Sequence, residues 1–388
     1  MLTFLSTCEI RKTGILQLNK GIPYLTKQDF LEVLPEEGAC FEIIHNGKSL
    51  AFGYSGRSQK NDVCVIDKPL SGEFLKKKLQ QALEKRKKIF PKFPEAYRLI
   101  HSEADGVPGI HIEIFNDYAV ITNFNHGIEH YQNDLIAALR ISLPHLNGMY
   151  AKDRTPTPKK PETTVIYGEP APENLIINEN GGRFIVRLNS GLMTGLFLDQ
   201  RANRAWLKTM CKGKSICNTF SYTASLSIAC AMGGARETTS VDISKTYNDW
   251  AKENFVLNSL DLKKNHIITN DTFDHFQFCQ RKNIRYDMII LDPPTFAKKK
   301  TGTFSVNKNY EELIKESIPL LNPHGVLVCS TNYTQWSGQD FLSMLNGMFK
   351  SLRKHYTIVH KAHADKDFPI LVNYPESNHL KFIAIQIR

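Results

Sequence analysis

No apolar run in the 388 residues approaches the ~20 needed for a membrane-spanning helix, so the sequence offers no candidate span and no membrane partner is expected. Met1 to Arg11 have too little apolar length for a secretion signal and no small-residue cleavage site, which points to a cytoplasmic protein. The eight cysteines (Cys8, Cys40, Cys64, Cys211, Cys217, Cys230, Cys279 and Cys329) contain no C-x-x-C pair and no metal-ligand spacing. Several sit inside apolar stretches, so they read as reduced core thiols, and neither structural zinc nor another metal is expected. Internal repeats and low-complexity tracts are absent. So is G-x-G-x-x-G, the glycine-rich turn that lets backbone approach a pyrophosphate.

What is present describes an ordinary globular chain, 41% hydrophobic and 23% charged, long enough for two or three domains. Its net charge is +10 and its sequence pI about 9.0, with clusters at Lys76-Lys77-Lys78, Lys85-Arg86-Lys87-Lys88 and Lys298-Lys299-Lys300. That balance favours a polyanionic partner, nucleic acid before membrane, although many enzymes carry a solvated basic surface.

Residues 1–70 alternate short β-like runs with turns; Asn46-Gly47 between Phe41-Glu42-Ile43-Ile44 and Leu50-Ala51-Phe52 is a hairpin signal. A small β-barrel module is expected there. Ser71 caps a helix with Leu75, Leu79, Ala82 and Leu83 on one face, and strands return from Tyr97, giving an α+β region over 71–180. Arg154 to Pro161, rich in Pro, Thr and Lys, reads as an exposed loop. From about residue 181 the pattern becomes strand–helix–strand, the signature of a parallel doubly wound α/β sheet over 181–388. Its strands are expected at Ser215–Asn218, Thr238–Val241, His266–Thr269, Tyr286–Leu291 and Gly325–Ser330.

Polar residues gather at the carboxyl ends of those strands, where open α/β sheets bind ligands. Asp242 ends the second strand, where a carboxylate can accept both ribose hydroxyls of an adenosine, and Asp271 follows the third, where an adenine amino group would fall. An ordinary strand-end cap is the plain alternative for either. Asp292-Pro293-Pro294-Thr295-Phe296 follows the apolar run Met288-Ile289-Ile290-Leu291. An acid or carbonyl beside stiff prolines can accept from the amino group of a flipped-out base, while an aromatic ring stacks on its face. Adenosine recognition without a phosphate loop suggests methyl transfer from S-adenosylmethionine, which has no pyrophosphate.

With Gly195-Leu196-Phe197-Leu198-Asp199-Gln200-Arg201, Phe220-Ser221-Tyr222-Thr223, Ser240-Val241-Asp242-Ile243-Ser244 and the Asp292 motif, the chain resembles the bacterial large-subunit ribosomal RNA methyltransferases over nearly its whole length. The resemblance implies an RNA-binding PUA-like module over 1–70, a central α+β domain over 71–180 and a Rossmann-like class I methyltransferase domain over 181–388. It implies that Asp199, Gln200, Arg201, Phe220, Ser221, Tyr222, Asp242 and Asp271 bind the cofactor. Asp199-Gln200-Arg201 could instead form an interdomain salt bridge. Asp292, Pro293, Phe296 and Asn332 would act on the base, and Thr295, Lys298, Lys299 and Lys300 would hold the RNA. Ala224 departs from the family, standing where glycine is usual.

Two branches are similar, a cytosine-C5 and a guanine-N7 enzyme. Cytosine C5 becomes nucleophilic only after a thiolate attacks C6, so that branch needs a cysteine after the fifth strand. Asn332 occupies that position here, and Cys329 lies three residues earlier, an odd offset that turns it to the opposite face. Gly234-Ala235-Arg236, Thr246-Tyr247 and Trp250 look like the guanine-N7 branch, whereas Tyr97-Arg98-Leu99-Ile100, Asp105-Gly106-Val107-Pro108-Gly109 and the carboxyl-terminal Phe368-Pro369-Ile370-Leu371 look like the cytosine-C5 branch. Guanine-N7 methylation is preferred. Cytosine-C5 methylation through Cys329, an RNA-binding protein on a retired methyltransferase scaffold and a small-molecule methyltransferase are the alternatives, and the oligomeric state, a homodimer included, stays open.

Overall fold

The structure, a computed structural model, describes residues 5–58, 61–154, 162–298 and 302–388, with Ala297 and Lys298 described by their backbone alone. Two compact units divide the chain. The first comprises Met1–Leu175, Arg187–Thr194 and Lys366–Ser377; the second comprises Ile176–Val186, Gly195–Asp365 and Asn378–Arg388.

The first unit holds two five-stranded sheets. One orders Ser6–Glu9, Cys40–His45, Lys48–Ser55, Val63–Ile66 and Tyr24–Leu25. Asn46 and Gly47 turn its central hairpin with φ of 50° and 73°, the left-handed pair that matches strand twist. The other orders Thr163–Gly168, Gly148–Asp153, Tyr118–Asn123, Ile110–Phe115 and Ala96–His101. Helix Gly72–Ile89 starts where the Ser71 hydroxyl accepts from Phe74 N at 3.2 Å. Its buried face, Leu75, Leu79, Ala82 and Leu83, shares one core with Tyr54 and Cys64 of the first sheet and Leu99 and Ile112 of the second. The residues expected as two domains over 1–70 and 71–180 thus pack on common apolar side chains. Arg86 crosses this core as a buried cation, bonding both Asp105 oxygens at 2.8 and 2.7 Å and the Asp367 carbonyl at 2.9 Å. Asp367 in turn accepts from Arg98 N at 2.7 Å, fastening Lys366–Ser377 to the first unit.

The second unit is built on a seven-stranded sheet: β1 Ser215–Thr219, β2 Glu237–Asp242, β3 Asn265–Thr269, β4 Tyr286–Leu291, β5 Leu321–Thr331, β6 Tyr356–Ala362 and β7 Lys381–Ile387, in the order β3-β2-β1-β4-β5-β7-β6. The first five are parallel; β7 runs antiparallel between β5 and β6. Helices cover both faces, which explains why β4 reads as unbroken apolar sequence rather than alternation. Met288 and Ile290 join a core with Leu207 and Cys230, while Ile289 and Leu291 join one with Phe276, Leu313 and Phe341. The five strands expected from sequence are all present; β6, β7 and the first-unit strand Thr163–Gly168 were not anticipated. No described helix is long and apolar enough to cross a membrane.

Candidate functional site

The strand order switches direction between β1 and β4, so the carboxyl ends of β1, β2 and β3 form one side of the edge and those of β4 and β5 continue it on the other. After β1 the turn Phe220–Thr223 takes an unusual path. Phe220, Tyr222 and Ala224 adopt left-handed backbone, with φ of 53°, 52° and 62°. Each such non-glycine residue costs about 1 kcal/mol, and strain of this kind persists where surrounding contacts enforce it. Those contacts are visible. Ser221 N donates to Val241 O at 3.0 Å, Tyr222 N to Asp242 Oδ2 at 2.9 Å, and Thr223 Oγ1 to Gly195 O at 2.6 Å. Asn254 donates to Thr223 O at 3.2 Å from helix Lys245–Leu257.

Asp242 therefore does more than cap a strand. Its Oδ1 accepts from Ser244 N at 2.9 Å and its Oδ2 from Tyr222 N, leaving one lone pair on each oxygen for a further donor such as a ribose hydroxyl. Burial raises its pKa, and the two backbone bonds oppose that rise. Asp271 caps helix Thr272–Arg281, accepting from Phe273 N at 2.8 Å through Oδ1. Tyr222 packs against Tyr247 at 4.5 Å and Phe197 at 5.2 Å between ring centroids, an aromatic wall beside Asp242. Phe220 turns its ring to Phe304, 5.6 Å away.

The second part of the edge centres on Asp292. Gln200 Nε2 donates to Asp292 Oδ2 at 3.1 Å and lies 3.2 Å from Ser330 Oγ, while Asn203 Nδ2 fixes the amide from behind at 2.6 Å. Burial pushes the Asp292 carboxyl up to about 6, and the charge of Asp199 adds to the rise; bonds from Ser330 and Gln200 pull the other way. Pro293 is buried, Pro294 exposed, and Phe296 is 68% exposed, its ring open for stacking. Thr295 Oγ1 donates to Asn332 Oδ1 at 3.0 Å. Of the base-side residues expected from sequence, Thr295 and Asn332 are brought into contact, and Asp292 meets Gln200, which was expected at the cofactor. Of the lysine cluster, Lys298 contributes described backbone to strand Phe296–Lys298, and Lys299 and Lys300 lie outside the described residues, as does most of the loop expected over Arg154 to Pro161.

Asp199 and Arg201 have partners within the second unit. Asp199 Oδ2 meets His379 Nε2 at 2.9 Å, and Arg201 pairs with Asp365 at 3.1 Å and lies 3.8 Å from Glu179. Gln200 is the member of the three that hydrogen-bonds Asp292. Ser330, Asn203, Tyr310, His379 and Lys381 were not foreseen. Tyr310 Oη donates to Ser330 O at 2.8 Å and Leu291 O at 3.3 Å, tying the ends of β4 and β5. Ser330, Tyr310, His379 and Lys381 carry no local sequence signal, because they bond partners far along the chain; Asn203 bonds Gln200 three positions away, within reach of the Asp199-Gln200-Arg201 stretch.

Cys329 is fully buried on β5, opposite Leu291 in register, in the core with Tyr310 and Phe341. Burial holds its thiol well above the usual range. All five cysteines of the second unit are buried. Among the described residues one His/carboxylate group has metal-ligand spacing, His126, Glu129 and Asp153 with ligand atoms within 4.8 Å, but it belongs to the first unit and His126 already pairs with Glu129 at 3.5 Å.

The donor set fits an adenosine sulfonium ligand. Asn218 Oδ1 near the end of β1 and Ser221 Oγ in the turn that follows it are buried without a protein hydrogen-bond partner among the described residues. The Asp242 carboxylate offers acceptors for hydroxyls, and Asp199 and Asp292 supply negative charge beside which a cation is favoured.

Comparison with known proteins agrees. Residues 157–369 match the S-adenosylmethionine-dependent methyltransferase family. A Bacillus subtilis protein, YwbD, named as a candidate ribosomal RNA large subunit methyltransferase, is 34% identical over 97% of this chain and 98% of its own. Ribosomal RNA large subunit methyltransferase I of Tolumonas auensis is 32% identical over 91% of each chain. The crystal structure of SMU.776, described as a methyltransferase complexed with SAH, superimposes with a TM-score of 0.91 at 31% identity, covering 98% of this chain and 100% of that one. The chain belongs to the S-adenosylmethionine-dependent methyltransferase family and is an enzyme that uses S-adenosylmethionine as its methyl donor.

Proposed function

We propose that this enzyme methylates N7 of a guanine in large-subunit ribosomal RNA. The substrate class rests on the relatives named for that RNA, which match the chain over nearly its whole length, and on its charge of +10. The choice of base rests on one observation: Cys329 is sealed in the core of the fifth strand, while the residue that follows the strand, where the resemblance places the thiol of the cytosine-C5 branch, is Asn332. The bound cofactor supplies an electrophilic methyl on a sulfonium. Guanine N7 has its own lone pair, so the protein need only align it with that methyl, and alignment alone accounts for large rate enhancements.

In this reading Asp242 accepts the ribose hydroxyls, Asp271 the adenine amino group, and Ser221 and Tyr222 line the methionine side. Gln200 holds Asp292 so that its carboxylate meets the N–H edge of the base; Phe296 stacks on the ring, Asn332 and Thr295 orient it, and the lysines at 298 to 300 hold phosphates. Asp199 and Arg201 act from behind through His379 and Asp365. Nucleoside mass spectrometry of large-subunit RNA from cells with and without the protein tests the assignment. Loss of one 7-methylguanosine is expected. Loss of 5-methylcytidine instead would refute the base assignment, and no change in either would refute this RNA as substrate.

A further inference from the structure

Lys381, the first residue of β7, is 4% exposed although it is a lysine at a strand end. In register it faces Thr331, the last residue of β5, one position before Asn332. Its Nζ reaches along the sheet edge and donates to the Tyr333 carbonyl at 2.9 Å and the His379 carbonyl at 3.3 Å. Asp340 is the acid whose charge acts on this ammonium, and it does so without a direct bond among the described residues. A buried ammonium bonded to carbonyls, with Asp340 acting on it only from beyond contact, is an expensive way to tie down a turn, because charge is removed from water without a counter-ion in contact. An apolar residue would fill the space more cheaply. One charge-assisted bond to the turn beside the Asp292 motif, and a second to the His379 carbonyl on its own segment, are what the lysine adds.

The turn it holds carries Asn332, one member of the base-side pair. Tyr333 O is fixed by Lys381, Tyr333 N bonds Thr331 Oγ1 at 3.2 Å, and between them Asn332 projects to meet Thr295 at 3.0 Å. We propose that Lys381 is a positioning residue of the methyl-acceptor site: its ammonium clamps the turn that carries Asn332 and so sets the Asn332–Thr295 geometry that receives the RNA base. The inference rests on the function proposed above for Asn332 and Thr295.

The ionisable groups around the clamp are Asp340 on helix Gly338–Ser351, Tyr333 on the clamped turn, and His379, whose imidazole is engaged by Asp199. Burial lowers the Lys381 ammonium to about 8, and the charge of Asp340 opposes the change. Above that pH the amine keeps N–H groups but loses the charge that strengthens its bonds, so the clamp loosens as pH rises through about 8.

Two measurements on the full-length protein decide it. The first is methyl transfer from S-adenosylmethionine to protein-free large-subunit RNA between pH 6.5 and 9.0, with wild type, Lys381→Met and Lys381→Arg. Lys381→Met should lower kcat/KM for RNA ~10-fold or more with cofactor affinity unchanged. Lys381→Arg, always charged, should keep most activity and remove the alkaline fall of the wild type. Wild-type kcat/KM in Lys381→Met, a wild-type alkaline fall in Lys381→Arg, or a Lys381→Arg protein that binds cofactor yet transfers nothing would each overturn the proposal. The second is hydrogen exchange over residues 331–337 without RNA. Faster exchange there in Lys381→Met, with β4 unchanged, supports the clamp; unchanged exchange refutes it. A wild-type protein that leaves this RNA unmethylated would defeat the RNA reading, and the exchange result would still decide the clamp.

Discussion

Asp292 holds its proton more tightly than a free carboxyl, at about 6, because burial penalises its charge and Asp199 repels it. The sign of the stability effect follows. A raised acid favours folding below its unfolded value of 3.8, and that contribution is lost as pH rises through about 6. At pH 7 the ionised Asp292 is therefore a liability to the fold, on the order of 1–2 kcal/mol after allowing for its partly solvated edge. Asp292→Asn should leave the melting temperature unchanged or raised by a few degrees while transfer falls at least ~100-fold, because the amide cannot accept the same base edge. For the wild type, transfer should decline as pH falls through about 6 and Asp292 takes up its proton. At the cofactor end the split is opposite. Asp242→Ala should weaken S-adenosylmethionine ~10-fold or more by calorimetry, since it also orphans Tyr222 N and Ser244 N, whereas Phe296→Ala should spare that affinity and lower transfer. Equal cofactor affinity in wild type and Asp242→Ala would sink the assignment.

At the scale of elements, the strained turn after β1 depends on the segment that leads into Asp199. Gly195 has φ of +100°, and a Cβ there would overlap the Trp250 ring. Its carbonyl accepts from Thr223, so the glycine couples the Gly195–Arg201 stretch to the Phe220–Thr223 turn. Gly195→Ala should destabilise by about 3 kcal/mol or more in urea unfolding and weaken cofactor binding together, through overpacking plus left-handed strain. Much of this was legible beforehand. Asp292 announces itself because an acid closes an apolar run at a strand end, Asp242 because it ends the short strand-like run Thr238–Val241, and Ser71 because it precedes a helical stripe. The left-handed Phe220, Tyr222 and Ala224 were not legible, since glycine is the residue that signals such backbone and none stands there. Ala224, noted as standing in place of the family's usual glycine, is the exception that hinted at it. The Gln200–Asp292 bond spans 92 residues, and β7 inserts out of order beside β5, so topology rather than local pattern creates both.

At the scale of the molecule, two charge arrangements act differently. The buried Arg86–Asp105 pair ties helix Gly72–Ile89 to the segment around Asp367. Asp105→Asn should destabilise the first unit by about 3–5 kcal/mol, because it leaves a buried guanidinium without its counter-charge. The net charge of +10 works over longer range. Affinity for large-subunit RNA should fall roughly tenfold or more between 50 and 200 mM salt, through release of counterions from phosphates, and cofactor affinity should barely move. A salt-independent RNA affinity in filter binding would contradict the electrostatic account.

The central claim is methyl transfer without a thiol, and Cys329→Ala measures it most directly. Recombinant wild type and Cys329→Ala would each be given isotope-labelled S-adenosylmethionine and unmethylated large-subunit RNA, and the nucleosides analysed by mass spectrometry. The account predicts label in 7-methylguanosine, at similar yield in both proteins. Label in 5-methylcytidine that disappears in Cys329→Ala would contradict it.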